Sequence, residues 1–165
     1  MVYRKGEKYA GLILAVIIIL LSLCYAPDWS ISGLRRGSAI QDRLSYSFLH
    51  ASFLHAAINS WCFLSIIFRY DIKWWHLAIA YIIALAVPNC ILFTIPTVGL
   101  SALCFALLGM IMFKVKRKSY YNICLSIYIA AGFIAPGVNG WIHLYSYMAG
   151  LLVGCLDAPI SCPTR

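Results

Sequence analysis

Charge is scarce in this chain: 11% of its 165 residues are Asp, Glu, Lys or Arg and 63% are hydrophobic, where soluble domains carry about 25% charged residues. That shortage leaves too little polar surface for a soluble globule and points to a bilayer. Acid is scarcer still, because Glu7, Asp28, Asp42, Asp71 and Asp157 are the whole supply. No acid falls in the middle of an apolar segment and no half of the chain repeats the other, which argues against an ion-coupled transporter. Paired metal-ligand spacing is missing from the seven cysteines (Cys24, Cys62, Cys90, Cys104, Cys124, Cys155 and Cys162). They read as small buried hydrophobes rather than as ligands. There is no low-complexity tract or separate soluble domain, so residues 1–165 read as one membrane domain.

What is abundant is apolar sequence, broken by short basic clusters. The net charge of +8 is spread between apolar runs instead of along one polar face, which excludes nucleic acid as the partner and makes the basic residues topology signals. A bilayer core of about 30 Å takes roughly 20 apolar residues as a helix. Segments near that length run over about 9–26, 48–68, 74–95, 98–113, 119–135 and 140–158. They predict an all-α, polytopic bundle of six transmembrane helices. The first could instead be a cleaved signal peptide, although its removal would upset the charge pattern. Alternate loops place Arg4, Lys5, Lys8, Arg69, Lys73, Lys114, Lys116, Arg117, Lys118 and Arg165 on one side and only Arg35, Arg36 and Arg43 on the other. Both termini are therefore expected in the cytoplasm, from a plasma or inner membrane.

Polar side chains inside a bilayer are costly and mark candidate sites. Ser101 lies 13 residues before Lys114, His143 lies 14 before Asp157, and His55 lies 14 before Arg69. At about 1.5 Å of rise per residue, all three stand roughly 20 Å from the cytoplasmic boundary. Asn59 is one turn below His55 on the same face, and His50 is near the outer mouth. His76, three residues after Lys73, belongs to the opposite side. Taken singly, a membrane Ser more often bonds its own backbone, and a membrane His more often bridges helices; shared depth favours a common site.

A serine needs a base, and a neutral imidazole can take its proton and return it to a leaving amine. No carboxylate falls at that depth, so a Ser101–His143 dyad is the economical reading, with Asp28 or Asp42 folding inward from the first outer loop as the alternative. The His55 imidazole, the Asn59 amide and the Ser101 backbone N–H could serve as oxyanion donors. His143, Ser146, Gly150 and Gly154 share one face of their helix, as do Ser101, Phe105 and Gly109 of theirs. Packing those faces together brings His143 onto Ser101, with Phe105 able to stack on the imidazole.

These residues resemble the rhomboid family of intramembrane serine proteases. The run His50-Ala-Ser-Phe-Leu-His55-Ala-Ala-Ile-Asn59 is similar to the family's His, four residues, His, three residues, Asn. Gly99-Leu-Ser101-Ala102 is close to its Gly-x-Ser-Gly, and His143 followed by Gly150 and Gly154 resembles its catalytic His helix. The resemblance spans essentially the whole chain. It implies Ser101 and His143 as catalytic residues, His55 and Asn59 as the oxyanion site, His50, Gly99 and Gly150 in support, and Phe105 at the aromatic position that usually carries Tyr. It also implies endopeptidase cleavage of transmembrane protein substrates near the outer membrane interface, without metal or cofactor. The chain departs from the pattern at Ala102 and Ser146, where Gly is usual, and lacks the Trp-Arg pair of the first outer loop, although Trp29, Arg35 and Arg36 lie there. The Pro136 to Asn139 loop is very short. The nearest other reading is a catalytically inactive rhomboid-like protein that binds membrane clients. A haem or metal protein using His50, His55 and His143 is more distant.

Overall fold

The computed structural model describes residues 5–24, 32–135 and 137–157. It is all-helical, with α1 (Lys5–Cys24), α2 (Ile40–Ser45), α3 (Phe53–Arg69), α4 (Trp74–Leu85), α5 (Ser101–Ile111), α6 (Lys118–Ile134) and α7 (Gly140–Asp157). Short 3-10 turns follow α2, precede α5 at Asn89–Ile91, and follow α5 at Met112–Lys114.

The expected bundle of six transmembrane helices is not what forms. Each apolar segment contains a helix, but among the described residues only α1 is long and apolar enough to cross a membrane, or two spans if α2 and α3 are counted as one bent span. That is too few for a six-span bundle. Local chemistry explains the shortening. The segment from 48 to 68 breaks ahead of Ser52, whose side chain caps α3 by accepting from the His55 N–H at 3.2 Å. The helices on either side of this break meet at 82°. The segment from 74 to 95 stops being helical at Leu85, because Pro88 lacks an N–H and disfavours helix at the residue before it. Arg43 then closes that helix end, donating to the Leu85 and Val87 carbonyls at 3.0 and 2.8 Å. Gly99 has φ +126, outside the helical region for any side-chain-bearing residue, so α5 starts only at Ser101. Its 11 residues span about 17 Å. The 17 residues of α6 fall short of a span in length, and polar residues such as Lys118 and Asn122 on α6, and His143, Ser146 and Asp157 on α7, lower the hydropathy of both helices.

The short α5 is the centre of the domain. Nearly every position from Ala102 to Ile111 is buried, as befits a helix apolar on all sides. Its closest neighbour is α7: a Cβ on Gly150 would strike the Ala106 carbonyl oxygen, and one on Gly154 would lie 2.5 Å from that of Met110. Gly109 returns the approach, with its Cβ position 2.6 Å from the Leu151 nitrogen. Backbones so close leave no room for side chains, and the missing atoms are what bring the two helices together. The helix α1 lies outside α3, with Gly11 against Phe63 and Ile67.

The loops at the opposite end from Lys114 are tied to one another. Leu34 and Thr97 exchange backbone hydrogen bonds of 2.8 and 2.9 Å. The Gly99 N–H donates to the Tyr46 carbonyl at 2.9 Å. Tyr46 is buried, and its hydroxyl donates to the Ala84 carbonyl at 2.8 Å. These bonds fix the chain that leads into Ser101.

Candidate functional site

Ser101 is the first residue of α5, so its side chain stands at the helix mouth, directly after the turn at Gly99 and Leu100. His143 lies one turn into α7 and reaches it: His143 Nε2 is 3.1 Å from Ser101 Oγ. Packing sets that distance. The Gly150–Ala106 approach fixes the separation of α5 and α7, and Phe105, one turn after Ser101, stacks on the imidazole with centroids 4.3 Å apart and planes 18° apart. Gly132 on α6 closes the other side, where an added Cβ would lie 3.0 Å from His143 Nδ1.

His143 Nδ1 is buried and has no hydrogen-bond partner among the described residues. Asp42 therefore does not orient the imidazole, and Asp28 lies outside the described residues. The pair is a dyad in geometry, with ring stacking holding the imidazole where a carboxylate would otherwise do so.

His55 and Asn59 project from α3 toward the same point. A Cβ on Gly99 would lie 2.9 Å from His55 Nε2 and 3.1 Å from Asn59 Nδ2. Both groups thus press against the backbone two residues before the serine, and only glycine leaves room for them. Asn59 is 5% exposed, and its Nδ2 has no hydrogen-bond partner among the described residues. A buried amide N–H left unpaired costs about 1 to 3 kcal/mol, so a group that would accept from it is favoured there. His50 is buried behind them and stacks edge-on against His55 at 5.0 Å. The Leu100 N–H donates to His50 Nε2 at 3.3 Å, which ties His50 to the turn carrying Ser101.

These groups surround a cavity of about 350 Å³, lined by Ser101, His143, His55 and Asn59 together with Tyr128 of α6 and Val138. It opens between α3 and α6, where Leu54, Ile58 and Ala131 make its walls apolar. Its size and lining suit a short stretch of apolar peptide. Sequence reasoning missed Tyr128, whose ring also stacks on Phe105, at 5.6 Å, and Gly132. No local pattern marks Tyr128; Gly132 could have been suspected as a point of close approach within an apolar helix.

His76 is buried at the other end of the molecule, as its position beside Lys73 implied. Its Nδ1 accepts from the Lys73 N–H at 2.9 Å, so Nε2 carries the proton and donates to Asp157 at 3.1 Å. Lys114 donates to the same carboxylate oxygen at 2.8 Å. Among the described residues, no three His, Cys, Asp or Glu side chains gather into a metal site. The expectation that the cysteines are buried holds for Cys104 alone among those described: Cys62 is half-buried, and Cys90, Cys124 and Cys155 are exposed. No protein-family model matches the chain, and no curated protein matches it.

Proposed function

We propose that the chain is a serine endopeptidase that cuts membrane-protein substrates through a Ser101–His143 dyad. The observation that carries the reading is the 3.1 Å approach of His143 Nε2 to Ser101 Oγ, beside a cavity into which His55 and Asn59 also project. In the proposed reaction Ser101 Oγ attacks the scissile carbonyl while His143 takes its proton, then passes that proton to the leaving amine. His55, Asn59 and the Ser101 N–H donate to the oxygen as it gains charge. Water repeats the sequence on the acyl-enzyme, with His143 again as base.

Substrate class and setting belong to the same proposal. Trp61 is 78% exposed, Ile134 83% and Leu156 88%, and apolar side chains this large on the outside of three helices favour contact with lipid. An apolar cavity opening between α3 and α6 suits a substrate arriving from the membrane as an extended segment. The likeness of the dyad and oxyanion residues to those of rhomboid proteases supports cleavage of transmembrane proteins near the outer interface. This reading concerns the site and its substrate and does not require six spans. The basic cluster Lys114 to Lys118 then faces the cytoplasm, and the dyad the opposite side.

The test is cleavage of single-pass membrane reporters by purified protein in lipid, compared with Ser101→Ala and His143→Ala. Both variants should be folded and inactive, and a fluorophosphonate probe should label Ser101 in the parent protein but not in His143→Ala. Cleavage by Ser101→Ala at the parent rate would overturn the proposal.

A further inference from the structure

Two thiols lie directly beneath the site. Cys62 follows Asn59 by three residues on α3, and Cys104 follows Ser101 by three residues on α5. Each is therefore one turn below a residue of the proposed machinery, on its own helix. Cys62 packs against the buried cluster that holds Cys104, which brings the two side chains together across the α3–α5 packing surface. Cys104 is 2% exposed and points its Sγ at the Asn59 carbonyl oxygen, 3.7 Å away. Cys62 is half-buried, so one member of the pair can be reached from outside while the other waits behind it.

We infer that Cys62 and Cys104 form an oxidisable pair, and that a peroxide closes them into a disulfide which slows the hydrolysis proposed above. The Cys62 sulfur attacks one peroxide oxygen, the O–O bond breaks, and Cys62 becomes a sulfenic acid with release of one water. The Cys104 sulfur then attacks the Cys62 sulfur: the S–S bond forms, the S–O bond breaks, and the departing hydroxide takes the Cys104 proton as a second water. Two thiols and one hydrogen peroxide give one disulfide and two waters, with both electrons ending on the peroxide oxygens.

The consequence for the site follows from distance. A disulfide holds its sulfurs at about 2.0 Å, well inside the contact distance of two unbonded sulfurs, so closure draws the Asn59 turn of α3 toward the Ser101 turn of α5. It also removes the hydrogen bond from Cys104 to the Asn59 carbonyl. A displacement of about 1 Å at a catalytic group can cost about 100-fold in rate. Here the displaced group is Asn59, next to the nucleophile.

The effect on turnover rests on the proposed function, whereas formation of the disulfide does not, and the experiment reads the two separately. Purified protein is treated with hydrogen peroxide, its remaining free thiols are alkylated, and its peptides are mapped by mass spectrometry without reduction. The expected result is a Cys62–Cys104 linked peptide, absent in Cys62→Ser and lost after dithiothreitol. In parallel, reporter cleavage and fluorophosphonate labelling of Ser101 should fall at least tenfold on peroxide treatment, recover with dithiothreitol, and be unaffected by peroxide in Cys62→Ser. If Cys62 and Cys104 both remain open to alkylation once the protein is denatured, or pair with Cys90, Cys124 or Cys155 instead, the thiol pair is refuted. A linked peptide with undiminished labelling would refute the control over Ser101. A linked peptide in a protein that neither cleaves nor labels before oxidation would leave the pair standing and refute both the control and the serine-protease reading.

Discussion

Asn59 has surroundings that packing alone does not explain. Its amide nitrogen is buried and unpaired among the described residues, yet it sits against Gly99 beside the His55 imidazole. If it bonds a developing oxyanion, its loss should be felt in the transition state more than in the bound substrate. Asn59→Ala should lower turnover about 10-fold to 100-fold, since each factor of ten is about 1.4 kcal/mol and several donors share the charge. His55→Ala should cost at least as much. Apparent substrate affinity should change little in either, and both should still label slowly with a fluorophosphonate. Turnover per folded molecule equal to that of the parent would reduce the two residues to a structural tie between helices. At this scale much was readable in advance: Ser101, His143, His55 and Asn59 were all singled out by residue type and spacing, and they line one cavity. What could not be read was Tyr128 stacked on Phe105, because its relevance comes from a contact between α5 and α6 that leaves no trace in the spacing of either.

Helix ends were the least legible elements. The apolar run from Trp74 continues through Ile95, and composition alone does not separate helix from the extended apolar chain that pairs with Leu34. Pro88 was the available sign that the helix must stop. The loss of full-length spans also removes the depth scale by which Ser101, His143 and His55 were first brought to one level; the glycine contacts of α5 and α7 do that work instead. Their pairing was legible, because Gly109, Gly150 and Gly154 recur at helical steps beside the two site residues. It yields a sharp expectation. Gly150→Ala drives a methyl into the Ala106 carbonyl oxygen, and since both atoms belong to packed helices neither yields easily. The cost should be about 2 kcal/mol or more, seen as a lowered unfolding temperature together with loss of Ser101 labelling as His143 is pushed away. Gly6→Ala on α1 is the control: the nearest atom to its Cβ position is 3.9 Å away, so the change should be neutral or stabilising. Equal stability of Gly150→Ala and the parent would mean that α5 and α7 stand further apart than described.

Across the whole molecule, Asp157 ties elements together at the end opposite the cavity. Asp157 ends α7 and joins it to Lys114 after α5 and to His76 on α4. The Lys114 ammonium beside it holds the Asp157 carboxyl below the ordinary carboxylate value, burial opposing and the His76 hydrogen bond assisting. A carboxyl whose pKa is lower folded than unfolded stabilises the fold above its unfolded value, and that contribution disappears as pH falls through the folded one. Asp157→Asn should therefore unfold at lower temperature than the parent at pH 7, with the gap closing as pH drops below about 4. The effect should be modest, because the pair is partly open to solvent. A gap that is constant across that range would assign the difference to lost hydrogen bonds alone. At the other end, the Nδ1 of His143, unpartnered among the described residues, limits what could move in the proposed hydrolysis. With no carboxylate beyond the imidazole among the described residues, each chemical step of the proposed reaction has a single proton in flight, between Nε2 and an oxygen or the leaving nitrogen. Rates measured in mixtures of light and heavy water should accordingly fall in a straight line with deuterium fraction. A bowed line, the signature of two protons moving together, would require a second relay partner behind the ring.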